Sequence, residues 1–219
     1  MLDLRKSGPV SLIFDLDGTL FDSYPVIISS VRKMLSEFGI DMEYDRLYRE
    51  CIATSMTERV REIAEKNGLP FSEMLDRYAE ISRGEKDKIT LMPEAFETLD
   101  GLSSMGVSMY VFTHRGTSTV PVTDRLRITG YFKELVTSVE NFPRKPAPDA
   151  LLYLIKKYSM DPESTYYVGD RNIDMQCAVN AGIGGILYLP EGSVGSSSGN
   201  ETVMVRRLSE IIDFVKFCG

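Results

Sequence analysis

Residues 10–20, Val10-Ser11-Leu12-Ile13-Phe14-Asp15-Leu16-Asp17-Gly18-Thr19-Leu20, decide how this chain reads. A short apolar run passes directly into two acids two positions apart, then into a glycine turn. Apolar runs without strict alternation are what strands buried on both faces look like. If strand geometry carries through Asp15 and Asp17, their carboxylates point the same way. Two like charges aimed at one spot are costly unless a cation or a reaction uses them. The competing explanation is a turn with two solvated acids, since Asp and Gly are common turn residues.

Outward from this stretch, similar apolar runs lie at residues 107–112, 135–137, 165–168 and 185–189. Helical patterns separate most of them, which predicts an α/β fold with a parallel sheet. Residues 22–92 break the rhythm. Their pattern is helical throughout, at 24–38, 44–51, 57–67 and 71–88, with no strand candidate. The division that follows is a core of residues 1–21 and 93–219, and a helical insert of residues 22–92. A closing helix is expected over 202–217, with Val205, Leu208, Ile211, Ile212 and Val215 on one face. Residues 190–200, PEGSVGSSSGN, read as a surface loop. They lack the GxxxxGK[ST] pattern of a phosphate loop.

Three further clusters follow predicted strands. Thr113-His114-Arg115-Gly116 offers a hydroxyl and backbone N–H groups suited to an anion, although a helix N-cap explains Thr113 or Thr117 equally well. In Arg144-Lys145-Pro146-Ala147-Pro148-Asp149, Pro146 keeps Lys145 out of helical geometry, so the lysine sits on a stiff segment; a solvated loop lysine is the alternative. Gly169-Asp170-Arg171-Asn172-Ile173-Asp174 follows a strand and opens a helix. Asp170 and Asp174, four apart, are expected on one helix face, where helix-dipole compensation would also account for them.

The 219 residues are 43% hydrophobic and 26% charged, enough for a real core and incompatible with disorder. A net charge of -7 argues against nucleic acid and an anionic membrane surface as partners. The widely spaced Cys51, Cys177 and Cys218 suggest a reducing compartment with neither a disulfide framework nor a zinc site. The opening segment reads as neither signal peptide nor spanning helix, and the cytoplasm is the expected location.

Taken in order, DLDGT, Thr113, Lys145 and GDRNID resemble the four motifs of the haloacid dehalogenase-like hydrolase superfamily, and of its phosphoglycolate-phosphatase-like members in particular. The resemblance spans essentially the whole chain. It implies a Rossmann-like parallel sheet core with an inserted α-helical cap domain, the strands ending in Asp15 and Asp170 lying side by side. It further implies that Asp15 is a nucleophile forming an aspartyl-phosphate and Asp17 the general acid and base. Thr113, His114 and Lys145 would bind the substrate phosphate. The implied metal is Mg2+, held by Asp15, the backbone carbonyl of Asp17, and Asp170. Asp174 would stand behind them, orienting Lys145 or a metal-bound water. Thr54, Ser55 and Met56 are the guessed specificity residues of the cap.

Two departures are visible. His114, the only histidine, stands where such relatives carry an Asn-type residue, and it can equally be a helix cap. The stretch Ala53-Thr54-Ser55-Met56 lacks the glycine often seen there. The expected activity is hydrolysis of a small phosphorylated metabolite by a monomer or weak homodimer. The alternatives are a phosphosugar mutase using the same two acids and a non-catalytic binding or regulatory protein on the same fold. A dehalogenase would leave Asp17 and the acidic metal set without a task.

Overall fold

The computed structural model describes residues 9–218. The part of the opening segment before Pro9, where no leader is expected, lies outside them. The chain divides into two compact units, one running up to Phe21 and again from Leu91 onward, the other Asp22–Thr90.

The first unit is built on a six-stranded sheet. Its strands are β1 (Ser11–Phe14), β4 (Ser108–Phe112), β5 (Phe132–Val136), β6 (Thr165–Gly169), β7 (Gly184–Tyr188) and β8 (Val203–Val205). Two-residue strands β2 (Phe21–Asp22) and β3 (Thr90–Leu91) pair with each other where the chain passes between units. The order across the large sheet is β5-β4-β1-β6-β7-β8, with every neighbouring pair parallel. All four β1 residues are buried, as an apolar central strand requires.

Helices α5 (Ala95–Ser104), α6 (Thr119–Arg125), α7 (Asp149–Tyr158), α8 (Asn172–Ala181) and α9 (Glu210–Cys218) complete this unit. Adjacent residues of β6 show how both sheet faces are covered. Tyr167 joins Ile13, Phe112 and Val136 in a cluster with Leu151 and Leu154 of α7 and Cys177 and Ala178 of α8. Tyr166 points the other way, 5.0 Å from the Phe214 ring of α9. The sheet is thus Rossmann-like. The chain turns one way from β1 into β4 and the other way from β6 into β7. The carboxyl ends of β1 and β6 therefore flank the point where this kind of sheet binds ligands.

The second unit holds α1 (Tyr24–Glu37), α2 (Tyr44–Ala53), α3 (Met56–Asn67) and α4 (Phe71–Glu85). It has its own core of Ile28, Val31, Leu35, Leu47, Val60, Ile63, Met74 and Ile81. No helix among the described residues is long and apolar enough to cross a membrane. Cys51, Cys177 and Cys218 are buried free thiols.

Three expectations need correction. Residues 202–217 are not one helix: Val203–Val205 form the edge strand β8, and α9 begins only at Glu210. β-Branched Val203 and Val205 suit a strand, and pairing with β7 satisfies their backbone. The strand expected at 135–137 begins three residues earlier, at Phe132. The stretch 22–92, expected to be free of strands, contains residues of β2 and β3, which are too short to carry a periodicity.

Candidate active site

Asp15 follows β1 without a break in the ladder, its N–H donating to the Val168 carbonyl of β6 at 2.8 Å. Its neighbour strand ends at Gly169 and delivers Asp170. Two sequence clusters more than 150 residues apart therefore meet because β1 and β6 pair in register, Phe14 opposite Val168. The turn after β1 is fixed by Gly18, whose φ of 82° is a conformation that suits glycine.

Lys145 reaches this point from the loop before α7, and its side chain is fully buried. Its Nζ lies 3.0 Å from Asp15 Oδ1 and 2.8 Å from Asp174 Oδ1. The Phe112 and Tyr167 rings stand 5.1 Å from the ammonium, a further favourable environment for a cation. Burial works against the Lys145 charge, yet Asp15 and Asp174 together outweigh it and hold the ammonium above the ordinary lysine value. Burial pushes the Asp15 carboxyl up; Lys145 opposes that shift and Asp174 adds to it.

Asp174 is engaged on both oxygens. Oδ1 accepts from Lys145, and Oδ2 accepts from the Arg171 backbone N–H at 3.1 Å. The second bond ties it to the start of α8. Asp170 is not on a shared helix face with Asp174, because α8 begins at Asn172 and Asp170 precedes it in the turn. The two still converge. Asp15, Asp170 and Asp174 each offer a carboxylate oxygen within 4.8 Å of the others. Lys145 pairs with two of these buried carboxylates, Asp15 and Asp174. An all-oxygen, anionic donor set of this kind fits a hard divalent cation.

The remaining expected residues distribute as follows. Thr113 is buried at the end of β4, and its Oγ1 accepts from the Arg115 N–H at 3.2 Å; it caps no helix. The residue before α6 is Ser118, so neither Thr113, His114 nor Thr117 is that helix's N-cap. His114 Nε2 accepts from the Lys145 backbone N–H at 3.0 Å, which binds the two loops together. Burial pushes the His114 pKa down to about 2, reinforced by Lys145, Arg144 and Arg171, so the ring is neutral. The Asp17 side chain pairs with Arg115. Thr54, Ser55 and Met56 are in the second unit, at the turn from α2 to α3. There Ser55 is the N-cap of α3, its side chain accepting from Glu58 N–H at 3.1 Å. Thr54 Oγ1 bonds the Glu50 carbonyl.

Two side chains at the site carry no signal of their own in the sequence. Thr19, fully buried, donates from Oγ1 to Asp170 Oδ1 at 3.2 Å. Arg115 pairs with Asp17 Oδ1 at 2.6 Å. Only position marks them, inside or directly after a motif. The loop at 190–200 also comes close: a Cβ on Gly195 would stand 3.5 Å from the Asp170 carbonyl oxygen.

Residues 12–187 match the family model described as haloacid dehalogenase-like hydrolase. Among curated proteins, phosphoglycolate phosphatase 1 of Pseudomonas aeruginosa is 30% identical over 183 residues, covering 80% of this chain and 67% of that protein. Phosphoglycolate phosphatase of Aquifex aeolicus is 29% identical over 178 residues, covering 78% and 80%. Among solved structures, a haloacid dehalogenase-like family hydrolase from Streptococcus pneumoniae superposes with a TM-score of 0.82 at 22% identity, covering 94% of this chain and 98% of that one. A predicted phosphoglycolate phosphatase from Haemophilus somnus gives 0.82 at 20% identity, covering 93% and 96%. At these identities the two structures speak for the fold.

Proposed function

The chain belongs to the haloacid dehalogenase-like hydrolase family, and from that membership we propose that it is a phosphomonoesterase acting on a small phosphorylated metabolite, with magnesium as its metal and an aspartyl-phosphate on Asp15 as its intermediate. One observation carries the reading. Asp15 is a buried carboxylate at the switch point, in contact with a buried ammonium that Asp15 and Asp174 together keep charged.

In the proposed first step an Asp15 carboxylate oxygen attacks phosphorus, and the bond from phosphorus to the ester oxygen breaks. Asp17 gives its proton to the departing alkoxide. In the second step Asp17 takes a proton from water as that water attacks phosphorus. The bond between Asp15 and phosphorus breaks, and inorganic phosphate leaves. Lys145, with Thr113, offsets the charge on the phosphoryl oxygens. Lys145 also loses the Asp15 charge once that residue is esterified, and Asp174 is the partner that remains. Asp15, Asp170 and the Asp17 carbonyl are the residues that would hold magnesium, which when bound supplies positive charge to the phosphoryl group. Asp22–Thr90 would act as the cap, with Thr54, Ser55 and Met56 as specificity residues.

The test is a screen of phosphorylated metabolites, 2-phosphoglycolate and hexose phosphates included, with magnesium and with excess EDTA. Phosphate release that EDTA abolishes is expected. Rapid-quench mass spectrometry should then find a phosphate adduct on Asp15 that accumulates in Asp17→Asn and is absent from Asp15→Asn. Isomer formation without phosphate release, or an adduct at another residue, would overturn the reading.

A further inference from the structure

We infer that Arg115 is the positioning residue for Asp17, the residue that aims its carboxylate for proton transfer; this rests on the phosphomonoesterase reading above. Nε and Nη2 of Arg115 both donate to Asp17 Oδ1, at 3.1 and 2.6 Å. Nη1 donates to Ser118 Oγ at 3.3 Å, and the guanidinium lies 5.7 Å from the Phe21 ring centre. The arginine is itself anchored. Its N–H donates to Thr113 Oγ1, and its carbonyl accepts from Ser138 N–H at 3.0 Å. With only 10% of its side chain exposed, Arg115 is a braced group, whereas Asp17 is 24% exposed on a glycine turn.

The asymmetry assigns the roles. Asp17 stands beyond the end of β1, where a short side chain next to solvent has several rotamers to choose from. A guanidinium holding one carboxylate oxygen through two donors removes that choice. Proton transfer requires the acid within hydrogen-bond reach of the leaving oxygen, and a misplacement of about 1 Å can cost ~10²-fold. The same brace links Thr113 on the phosphate side of the site to Asp17 on the leaving-group side, because one residue bonds to both. Arg115 touches no reacting atom in this scheme; its effect passes through Asp17.

The experiment compares kcat/KM, which reports leaving-group departure, for an alkyl phosphate and for p-nitrophenyl phosphate. The nitrophenolate leaves with little need of a proton. Arg115→Gln should lower the alkyl phosphate value ~10–100-fold and the nitrophenyl value less than about threefold, and Arg115→Lys should recover part of the loss. In an Asp17→Asn background, Arg115→Gln should add nothing, since residues acting through one group are not additive. Equal losses on both esters, no loss on either, or a full additional loss in the Asp17→Asn background would overturn the inference. If Arg115→Gln does not fold, Arg115→Lys read on the two esters carries the same test: a loss confined to the alkyl ester supports the inference, and equal values relative to wild type overturn it. A wild-type protein that hydrolyses neither ester nor any screened metabolite would instead overturn the phosphomonoesterase reading beneath it.

Discussion

Asp174 Oδ1 accepts a hydrogen bond from Lys145 Nζ at 2.8 Å, and both side chains are wholly buried. This makes Asp174 the standing counter-charge of the lysine, independent of what happens to Asp15. Removing the lysine therefore takes the ammonium away from Asp15 and Asp174 together. Lys145→Met should abolish phosphate release, and in EDTA it should lower unfolding free energy by roughly 3–5 kcal/mol, the usual cost of breaking a buried ion pair. Magnesium should restore more stability to the variant than it adds to wild type, because the variant has more unbalanced charge to offset. Urea titrations with EDTA and with magnesium read both numbers; a variant as stable as wild type in EDTA would contradict the charge accounting.

Thr19 offers a test of how the proposed metal ligand Asp170 is held. Its Oγ1 donates to Asp170 Oδ1 from a position with no exposure. Groups that orient a metal's ligands typically change affinity about 10–100-fold when removed. Thr19→Val, nearly the same shape, should raise the magnesium concentration for half-maximal activity by about that factor, while the rate at saturating magnesium changes much less. An unchanged magnesium titration would show that the hydroxyl does not support Asp170.

The sequence makes one part of this site readable and hides another, for a physical reason. Asp15, Thr113 and Asp170 each follow an apolar run, and strand ends in a parallel sheet converge, so local pattern is enough to bring them together. Arg115 and Thr19 act on partners 98 and 151 residues away. No local period marks such a pairing. His114 reads in the sequence as a phosphate ligand or a cap, and nothing local marks the bond its Nε2 accepts from the Lys145 backbone, 31 residues on. The fold shows the same limit. Val205 fits the helical spacing that continues to Leu208 and Ile211, and only the free edge of β7 decides that Val203–Val205 form a strand.

His114 should also make the protein acid-sensitive. Its pKa falls from 6.5 to about 2 on folding, through burial first and then the nearby cations. Below pH 6.5 the unfolded chain binds a proton that the folded chain refuses, so stability falls as pH falls, by at most about 1.4 kcal/mol per unit. His114→Gln keeps an acceptor for the Lys145 amide but has nothing to titrate. Between about pH 7.5 and 5.0, wild type should lose up to about 2 kcal/mol more than the variant in urea melts. Parallel losses in the two proteins would show that His114 takes up its proton without unfolding.

The tightest steric demand at the site falls on Gly169. A Cβ there would stand 2.4 Å from Asp174 Cβ and 2.6 Å from its Cγ. Asp174 cannot swing aside freely, since its two oxygens are bound to Lys145 and to the Arg171 amide. Gly169→Ala should therefore push Asp174 off Lys145. Overpacking alone costs roughly 1–3 kcal/mol, and the disturbed ion pair adds to it, so phosphate release should fall at least about tenfold with stability. Gly84 supplies the contrast. It lies in α4, and a methyl group added to it would meet no atom within 4 Å. Ala is the better helix former by up to about 1 kcal/mol, so Gly84→Ala should stabilise the chain and leave hydrolysis unchanged. Melting temperatures of the two variants should move in opposite directions, and only Gly169→Ala should lose steady-state rate. A Gly169→Ala protein with wild-type melting and turnover would mean that Asp174 is not held where Lys145 needs it.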